Sequence, residues 1–457
     1  MLKQSVKNEL RSPILWHDEY YDFGDFDTAI NRHSKENVIY IRLKSPFPVI
    51  RENCHSERCF DCYLANRDYN IFIGKSNSFD VEIGISKNKN CTILKSIELF
   101  FDDYRIKIVS EDDNNDVYIN DTLFDKGNTA FKYKSKGLLP ILEINLEFEK
   151  ADSIIIKSLE EADDDVEESI NKLFAIRSIE KEEIVAYWNQ NRMQSNFLST
   201  LLVELSKDEK SLNEIIQFVI LRNVASCVKI IDRYLSEFFV DSSYIAPLRV
   251  MNGRYMLNSE RAIEEIDSTG KNIMEVILNM DRDERKSYKK FLKDTLNVTI
   301  DVKGNNNKSI VVTNDNRESY NIVDEGAGYS QLLPIATLLW KIITSEEKIC
   351  SIPYTITIEQ PEIHLHPAMQ TAFVNMIYRT LQSAQKKKKR LHILIETHSP
   401  TIVNRIGRLV RDTSKIALRP EDVSVYLFSK LGENTSIVST RYNENGMIEK
   451  WPIGFLD

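Results

Sequence analysis

The spacing of hydrophobic and polar residues along the chain changes twice. Between Val38 and Phe148 short apolar runs alternate with polar positions at a period of two, which predicts an antiparallel β-sheet. From Glu160 to about Leu296 apolar residues recur at helical spacing, which predicts an inserted helical arm or lid. Beyond the loop marked by Asn305 to Asn307, strands and helices alternate. That alternation predicts a parallel α/β sheet.

One strand of this last segment ends in a carboxylate. Tyr354 to Ile358 is apolar and rich in β-branched residues, and it runs directly into Glu359. A helix that begins at Pro367 and a second buried strand, Leu391 to Ile395, follow it. In open parallel sheets, ligands bind beyond the carboxyl ends of the strands, and a carboxylate there suits a hydrated magnesium ion beside a nucleotide. The pattern therefore predicts a magnesium and nucleotide site around Glu359.

A glycine-bearing loop precedes the helix upstream of that strand. Gly326, Gly328 and Ser330 are followed by apolar residues at helical spacing, so the loop is expected to lead directly into a helix. The start of a helix exposes unpaired amide groups and the positive end of the helix dipole. Glycine lets the backbone approach a ligand closely, because it has no Cβ. We therefore expect an anion to bind near Ser330.

Composition indicates a large soluble protein of the cytoplasm. The 457 residues carry a formal net charge of −9, and 42% of them are hydrophobic. No run approaches the roughly eighteen apolar residues that a membrane span needs, and Met1 to Leu10 is too polar for a signal peptide. Six cysteines in such a chain suit a reducing compartment. The negative charge argues against a protein that coats nucleic acid along its whole surface, and no membrane contact is expected.

Two other features have simple structural interpretations. Lys386 to Arg390 is the one strong basic run, and positive charge is favourable at the end of a helix. It is expected to be a solvated loop, with contact to a phosphate backbone or an acidic partner as the alternative. His364 and His366 lie on the turn before Pro367 and have no third metal ligand nearby in sequence. We expect these histidines to shape the turn through hydrogen bonds.

A cysteine cluster suggests a possible zinc site. Cys54, Cys59 and Cys62 lie within nine residues together with His55, and His33 or Cys91 would supply a further ligand. Against zinc, the cluster contains a single Cys-x-x-C pair and four ligands are not obvious. The alternative is a loop of free cysteines, which a reducing cytoplasm permits.

Four short motifs follow one another between Asn321 and Arg411. They are Asp324-Glu325-Gly326-Ala327-Gly328-Tyr329-Ser330-Gln331, Thr355-Ile356-Thr357-Ile358-Glu359-Gln360-Pro361-Glu362, Ile363-His364-Leu365-His366-Pro367 and Glu396-Thr397-His398-Ser399-Pro400. In this order they resemble the ABC-like ATPases of the OLD, SMC and related AAA-type group. Tyr244-Ile245-Ala246-Pro247-Leu248-Arg249 and Trp451-Pro452-Ile453-Gly454-Phe455 resemble elements of a bacterial subfamily within it. The resemblance implies an α/β ABC-type ATPase core with a mostly parallel sheet, an antiparallel β-subdomain and an inserted helical arm.

The resemblance also implies roles for particular residues. The signature loop of the group binds the γ-phosphate of ATP held by the opposite protomer of a head-to-head dimer, and it is matched by Gly326, Gly328, Ser330 and Gln331. Glu359 matches the Walker B acid that supports magnesium, and Gln360 stands where a glutamate usually polarises the attacking water. Glu362 to Pro367 matches the loop that couples the two sites of the dimer. His398 matches the switch histidine that contacts the γ-phosphate.

Two departures from the group have consequences. Gln360 can orient a water molecule but cannot take its proton at neutral pH, so hydrolysis should be slow or rely on Glu362 or His398. The phosphate loop, Gly-x-x-x-x-Gly-Lys-Ser/Thr, is missing from the printed sequence. Gly74-Lys75-Ser76 fails because Tyr69 replaces the first glycine and a strand follows instead of a helix. Met1 to Val6 resembles the end of the phosphate-loop helix, so the loop is expected upstream, in a partner polypeptide, or to have been lost.

Four segments and two functions follow as expectations. Residues 1–37 would be the remnant of an N-terminal ATPase lobe, 38–150 the antiparallel β-subdomain, 151–300 the helical insertion or lid, and 301–457 the C-terminal ATPase lobe. The first function is an ATP-driven dimerisation switch that acts with a nuclease or another effector protein, or with DNA, in bacterial antiviral defence or DNA repair. No nuclease residues are visible in the chain itself. The alternative is a non-enzymatic scaffold that keeps the dimer surface but has lost nucleotide chemistry.

Overall fold

The chain forms two compact units, Met1–Val240 and Asp241–Asp457. The computed structural model describes residues 1–8, 10, 12–18, 22–31, 36–46, 78–89, 91–101, 104–111, 114–132, 137–145, 151–162, 165–176, 178–247, 249, 256–257, 265–304, 307–313, 319–324, 327–345, 352–412, 418–449 and 451. Each unit has its own sheet and its own buried apolar residues.

The first unit is built on a seven-stranded sheet whose strands follow chain order. The strands are β1 (Val38–Pro46), β2 (Ser78–Asn88), β3 (Cys91–Phe100), β4 (Arg105–Glu111), β5 (Asn114–Ile119), β6 (Thr122–Lys132) and β7 (Ile141–Ile144). All six pairings are antiparallel. The antiparallel sheet predicted between Val38 and Phe148 is therefore confirmed, and the largest described sheet is not the mostly parallel one that the family resemblance implies for an ATPase core. Short turns, such as the one between Asn88 and Cys91, permit hairpins only, because a parallel connection needs roughly a dozen residues or more.

Helices make up the rest of the first unit. They are α1 (Leu2–Lys7), α2 (Phe26–Ala29), α3 (Ala151–Ala162), α4 (Val166–Leu173), α5 (Lys181–Asn191), α6 (Asn196–Leu205) and α7 (Glu209–Asp241). The 33-residue α7 packs against the sheet, where the rings of Tyr234 and Phe79 meet edge to face with centroids 5.2 Å apart. Asp232, two residues earlier, accepts hydrogen bonds of 2.7 Å from the backbone N–H groups of Leu138 and Leu139. These contacts join the helix to the sheet within this unit.

The second unit contains a three-stranded parallel sheet, a four-stranded antiparallel sheet and a two-stranded antiparallel hairpin. Its elements are β8 (Ser243–Ile245), β9 (Met256–Leu257), α8 (Ile273–Asn279), α9 (Arg282–Leu296), β10 (Thr299–Lys303), β11 (Asn307–Thr313), β12 (Ser319–Asn321), α10 (Ala327–Thr344), β13 (Tyr354–Glu359), α11 (Pro367–Lys386), β14 (Leu391–Glu396), α12 (Pro400–Arg411), β15 (Ser424–Leu431) and β16 (Asn434–Arg441). Helices therefore occur in both units, on either side of the boundary at residue 240.

The parallel sheet has the strand order β14-β13-β8. Ile356 and Ile358 of β13 are fully buried together with Phe373 of α11 and Leu332 of α10. Because helices pack on β13, the strand needs no polar face, which explains why Tyr354 to Ile358 contains no charged residue. The sheet places the carboxyl ends of its strands at one edge.

The C-terminal hairpin of β15 and β16 precedes a turn that packs against α12. Gly407 of α12 and Gly446 of this turn approach so closely that a Cβ on Gly407 would lie 2.2 Å from the carbonyl oxygen of Gly446. The hydroxyl of Tyr442 donates a hydrogen bond of 2.9 Å to the carbonyl of Val403. Two glycines thus allow backbone to pack directly on backbone. Among the helices of the described ranges, none is long and apolar enough to cross a lipid bilayer.

Candidate functional site

Two of the motif segments leave the parallel sheet at the same edge. β13 and β14 pair in register, so Glu359 lies beside Glu396 at their carboxyl ends. His398 follows Glu396 by two residues, on the loop that leads into α12. The structure therefore brings Glu359 and His398 onto neighbouring loops, as expected from the order of strands and helices in the sequence.

Glu359 is oriented by a tyrosine of the adjacent strand. Its Oε2 accepts a hydrogen bond of 3.0 Å from the hydroxyl of Tyr244, the central residue of β8. The carboxylate is half-buried, and it lies where ligands of parallel sheets bind. Carboxylate oxygens are the donors that Mg²⁺ takes in addition to water and phosphate. The donor chemistry and position of Glu359 fit a magnesium ion.

Arg249 connects the end of β13 to the start of α10. Its Nη2 donates a hydrogen bond of 2.7 Å to the carbonyl of Glu359, and its Nη1 donates one of 3.3 Å to Oε1 of Gln331. The amide Nε2 of Gln331 in turn donates to the carbonyl of Arg249 at 2.7 Å. Both side chains are buried, Arg249 with 2% of its surface exposed. Arg249 therefore orders the junction between these two elements.

Burial lowers the pKa of Arg249 to about 10, while interactions with Glu362 and Tyr244 oppose that shift. A pKa of about 10 still leaves the guanidinium charged at neutral pH. The site therefore contains a buried cation beside two acidic side chains, Glu359 and Glu362. Arg249 binds the backbone carbonyl of Glu359, and the carboxylate Oε2 accepts its hydrogen bond from Tyr244.

Gln360 turns the chain away from the sheet. Its φ of +40° lies in the left-handed region, which residues other than glycine seldom adopt. Its backbone N–H still donates a hydrogen bond of 2.8 Å to the carbonyl of Glu396, so the two strand ends remain joined. Unusual backbone conformations of this kind concentrate at functional sites because the surrounding structure enforces them.

Glu362 joins the loop after β13 to the loop after β14. Its Oε2 accepts a hydrogen bond of 2.8 Å from the hydroxyl of Thr397, and its Oε1 accepts one of 2.7 Å from the backbone N–H of His398. Each carboxylate oxygen therefore accepts a hydrogen bond from the loop after β14, residues 397–399, which is called the switch loop below. The side chain of His398 itself is exposed. In this arrangement Glu362 positions the backbone of His398.

The predicted anion loop is described from residue 327 onward, and Gly326 lies outside the described residues. Gly328 sits against the loop after β13, since a Cβ built on it would lie 3.9 Å from both Leu365 and Met369. Ser330 is partly buried in the first turn of α10, and Gln331 next to it is buried. The start of α10 is therefore packed beside the loop that follows Glu359.

His366 before α11 and Ser399 before α12 cap their helices. Nδ1 of His366 accepts a hydrogen bond of 3.2 Å from the backbone N–H of Ala368 and so caps α11. Ser399 caps α12 through the N–H of Ile402 at 3.2 Å, and its hydroxyl donates to Oε1 of Gln370 at 2.6 Å. The expectation that His366 shapes the turn is confirmed by its capping bond.

Two lysines of the basic run neutralise the end of α10. Lys387 donates to the carbonyl of Ile343 at 2.7 Å, and Lys389 donates to the carbonyl of Ile342 at 2.6 Å and to Oγ of Ser345 at 2.8 Å. Burial and the neighbouring Lys387 lower the pKa of Lys389. These two side chains are committed to helix carbonyls, as cations near a helix C-terminus often are.

The predicted zinc ligands Cys54, Cys59 and Cys62 lie outside the described residues, as does His33. Cys91, proposed as a further ligand, is an exposed free thiol. Within the part of the chain that the structure describes, no group of three or more His, Cys, Asp or Glu residues is arranged to hold a metal ion. Zinc binding by the cysteine cluster stays a prediction.

Three residues at this edge were not singled out by the sequence patterns. Thr397 and Gln370 bind residues of the predicted loops, and Tyr244 orients Glu359. Tyr244 and Arg249 begin and end a six-residue motif, and both contact Glu359. The sequence signal for Tyr244 was its place in this motif. In the fold Tyr244 lies on β8, the strand next to β13, which ends at Glu359. Thr397 likewise lies within the motif Glu396 to Pro400, whereas Gln370 had no comparable signal.

Comparison with known proteins places the chain by its sequence. The family model of the AAA ATPase domain matches residues 58–403. The Smc head domain of Pyrococcus furiosus with an extended coiled coil, bound to the C-terminal domain of ScpA, is 11% identical over 79% of this chain and 77% of that chain, with a TM-score of 0.25. The SMC head domain from Thermotoga maritima is 10% identical over 36% of this chain and 50% of that chain, with a TM-score of 0.24. No curated protein sequence matches the chain. Because both TM-scores are low, the family match alone carries the assignment.

Proposed function

The chain belongs to the AAA ATPase domain family, and we propose that it is an ATP-binding, slowly ATP-hydrolysing dimerisation switch of the OLD- and SMC-related kind. The observation that carries the proposal is the meeting of Glu359, the coupling loop and the switch loop at one edge of the parallel sheet, joined by the hydrogen bond between Glu362 and His398. A nucleotide bound beyond that edge would contact all three at once.

In this proposal Glu359 holds a magnesium ion, with Tyr244 keeping its carboxylate in place. A bound Mg²⁺ would bridge phosphate oxygens and neutralise their charge. His398, whose side chain is exposed while its backbone is held by Glu362, would contact the γ-phosphate. The pairing of a fixed backbone with an exposed imidazole suits a residue that senses a ligand.

Gly326, Gly328, Ser330 and Gln331 are proposed to bind the γ-phosphate held by a second copy of the chain. Gly328 has no Cβ, which lets the backbone at the start of α10 approach an anion closely, and a helix start favours an anion. Gln331 is buried against Arg249, so its proposed part is to support the loop from behind. ATP would then join two protomers head to head.

Gln360 is proposed to orient the attacking water without taking its proton, which makes turnover slow. Glu362 is a poor substitute base because both of its oxygens already accept hydrogen bonds from the switch loop. Slow hydrolysis suits a switch whose bound state lasts long enough to act on a partner. We propose a nuclease or other effector protein, or DNA, as that partner, in bacterial defence or repair, with the phosphate loop supplied from outside the printed sequence.

Photo-crosslinking tests the nucleotide site directly and detects weak binding. The chain is irradiated with magnesium and an ATP analogue that carries an aryl azide on its γ-phosphate, and the adducts are mapped by mass spectrometry. We expect adducts in the segments around Ser330 and His398 that excess ATP removes and AMP does not. Ser330→Arg should abolish the adduct at α10 because its bulk fills the anion site, while Ser429→Arg, on the exposed hairpin, should keep it.

Sedimentation velocity on the same samples tests the switch. ATP with magnesium should shift the chain from monomer to dimer, and Ser330→Arg should block that shift. If no competed adduct forms and self-association is the same with and without ATP, the switch is wrong and the non-enzymatic scaffold is favoured.

A further inference from the structure

Three segments that are far apart in the chain meet at the guanidinium of Arg249. Gln331 lies 82 residues after Arg249 and Glu359 lies 110 residues after it. Arg249 donates to both, and Gln331 returns a hydrogen bond to the Arg249 backbone. The start of α10 and the end of β13 are therefore connected through one side chain.

The contacts depend on the shape of arginine. Its planar fork places two donors at a fixed separation, which lets Nη1 reach Gln331 while Nη2 reaches the carbonyl of Glu359. A lysine ammonium in the same place would be a single flexible donor group. Because Arg249 is 2% exposed, water cannot replace a lost partner at low cost.

The connection continues along the chain to the loop after β14. Arg249 binds the carbonyl of Glu359, and Glu362, three residues later, accepts hydrogen bonds from Thr397 and from the backbone N–H of His398. A path therefore runs from Gln331 through Arg249 and the segment from Glu359 to Glu362, and on to His398. It passes through the strand end that carries Glu359.

We infer that Arg249 is a positioning residue that couples the start of α10 to the metal-side carboxylate and to the switch loop, so that a shift at one is transmitted to the others. Its guanidinium donates to Gln331 and to the carbonyl of Glu359, so Arg249 acts through these residues. An anion bound at the start of α10 would displace Gln331 and so move the guanidinium of Arg249. That movement would shift the carbonyl of Glu359 and change the electrostatic interaction between Arg249 and Glu362. The inference takes its biological meaning from the proposed function, whereas its test needs no nucleotide.

Hydrogen–deuterium exchange of the nucleotide-free chain provides that test. Gln331→Met removes both hydrogen bonds to Arg249 while keeping a side chain of similar length. Although Gln331 has no hydrogen bond to residues 360–365 or 396–398, we expect about tenfold faster exchange there as well as in α10, because the path through Arg249 is broken. Arg249→Lys should produce the same pattern. In the Arg249→Lys background, Gln331→Met should then add no further change at residues 396–398.

Arg405→Lys is the matched control, because Arg405 also joins two elements, through Nε to Oδ1 of Asn375 at 2.9 Å. It should raise exchange only in α11 and α12. The inference is overturned if Gln331→Met changes α10 alone, if its effect at residues 396–398 persists in Arg249→Lys, or if exchange rises uniformly over Asp241–Asp457. If Arg249→Lys does not fold, the pattern from Gln331→Met alone decides between these outcomes.

Repeating the exchange experiment with ATP and magnesium distinguishes the proposed ATP-binding function from the coupling role of Arg249. Unchanged exchange on addition of ATP contradicts the proposed function but leaves the nucleotide-free result, and hence the coupling, standing. If ATP slows exchange in both α10 and residues 396–398 of the natural chain, it should slow exchange in only one of these two segments in the Arg249→Lys variant.

Discussion

The backbone N–H of His398 donates a hydrogen bond of 2.7 Å to Oε1 of Glu362. This single contact joins the loop after β13 to the loop after β14 across 36 residues of sequence. Because Thr397 occupies the other carboxylate oxygen, Glu362 holds the switch loop with both oxygens. The position of the exposed His398 side chain therefore depends on a residue of the neighbouring loop.

Glu362→Gln should loosen that loop. The substitution keeps the shape of the side chain, but its amide presents an NH₂ donor to either the Thr397 hydroxyl or the His398 N–H. We expect a loss of about 1–2 kcal/mol in the free energy of unfolding, since hydrogen bonds to charged groups contribute about 1.5–3 kcal/mol and this site is only partly buried. Urea denaturation measures it. Glu421→Gln is the control, because its exposed ion pair with Arg419 contributes little; equal losses in both variants would contradict the assigned role.

Asp232→Ala should destabilise the first unit. Asp232 is 5% exposed and accepts the N–H groups of Leu138 and Leu139, which would be left without their acceptor. We expect a loss of about 2–3 kcal/mol by urea denaturation. Gly137→Ala should act in the same direction, because its φ is +145° and a Cβ would lie 2.8 Å from Oδ2 of Asp232. Glu182→Gln, exposed on α5, should leave stability unchanged. A loss below the error of the measurement for Asp232→Ala would show that this loop is held by other contacts.

Gly407→Ala should release the turn at Gly446 from α12. The new methyl group would overlap the carbonyl oxygen of Gly446, at 2.2 Å, and backbone cannot rotate away as a side chain can. Overpacking of this kind costs about 1–3 kcal/mol. Limited proteolysis should show faster cleavage between residues 441 and 449. Gly432→Ala is the matched control: it lies at the hairpin tip with nothing within 4 Å, so only its φ of +61° is strained. Identical cleavage rates in the two variants would rule out the packing argument.

Cys227 should resist thiol reagents that modify Cys91. Burial in α7 raises the pKa of Cys227 to about 12, so its thiol stays neutral at pH 8, whereas Cys91 is exposed. Alkylation followed by mass spectrometry should find Cys227 about 100-fold slower or more, because the thiolate is the reactive form. Similar rates would mean that α7 opens readily.

The same raised pKa has a consequence for stability. Below the ordinary thiol pKa of 9.0, Cys227 is neutral in both folded and unfolded chains and its contribution is fully present. Between pH 9 and about 12 the unfolded thiol ionises first, so the free energy of unfolding falls as pH rises. Cys227→Ala should remove that part of the pH dependence.

Much of the local structure around the site followed from sequence pattern. The apolar run before Glu359 predicted a buried strand that ends in a carboxylate, and Pro367 and Pro400 correctly marked the first residues of α11 and α12. The reason is that strand periodicity, proline at the first helical position and serine caps act over a few residues. The period-two pattern between Val38 and Phe148 predicted the antiparallel sheet of β1 to β7, whereas the mostly parallel sheet implied by the family resemblance is limited, among the described strands, to β8, β13 and β14.

Sequence by itself determined the local features from which the site is proposed, namely the carboxylate at a strand end, the glycines before a helix and the histidine after the next strand, and it determined membership of the AAA ATPase domain family. Tertiary structure alone decided that Arg249 donates hydrogen bonds to both Gln331 and Glu359 and that Glu362 accepts one from the backbone of His398. Those partners are 36 to 110 residues apart, and a hydrogen bond between them exists only once the strands are in register. Local propensity cannot encode such a pairing, because the direction and distance of each donor are set by the packed sheet.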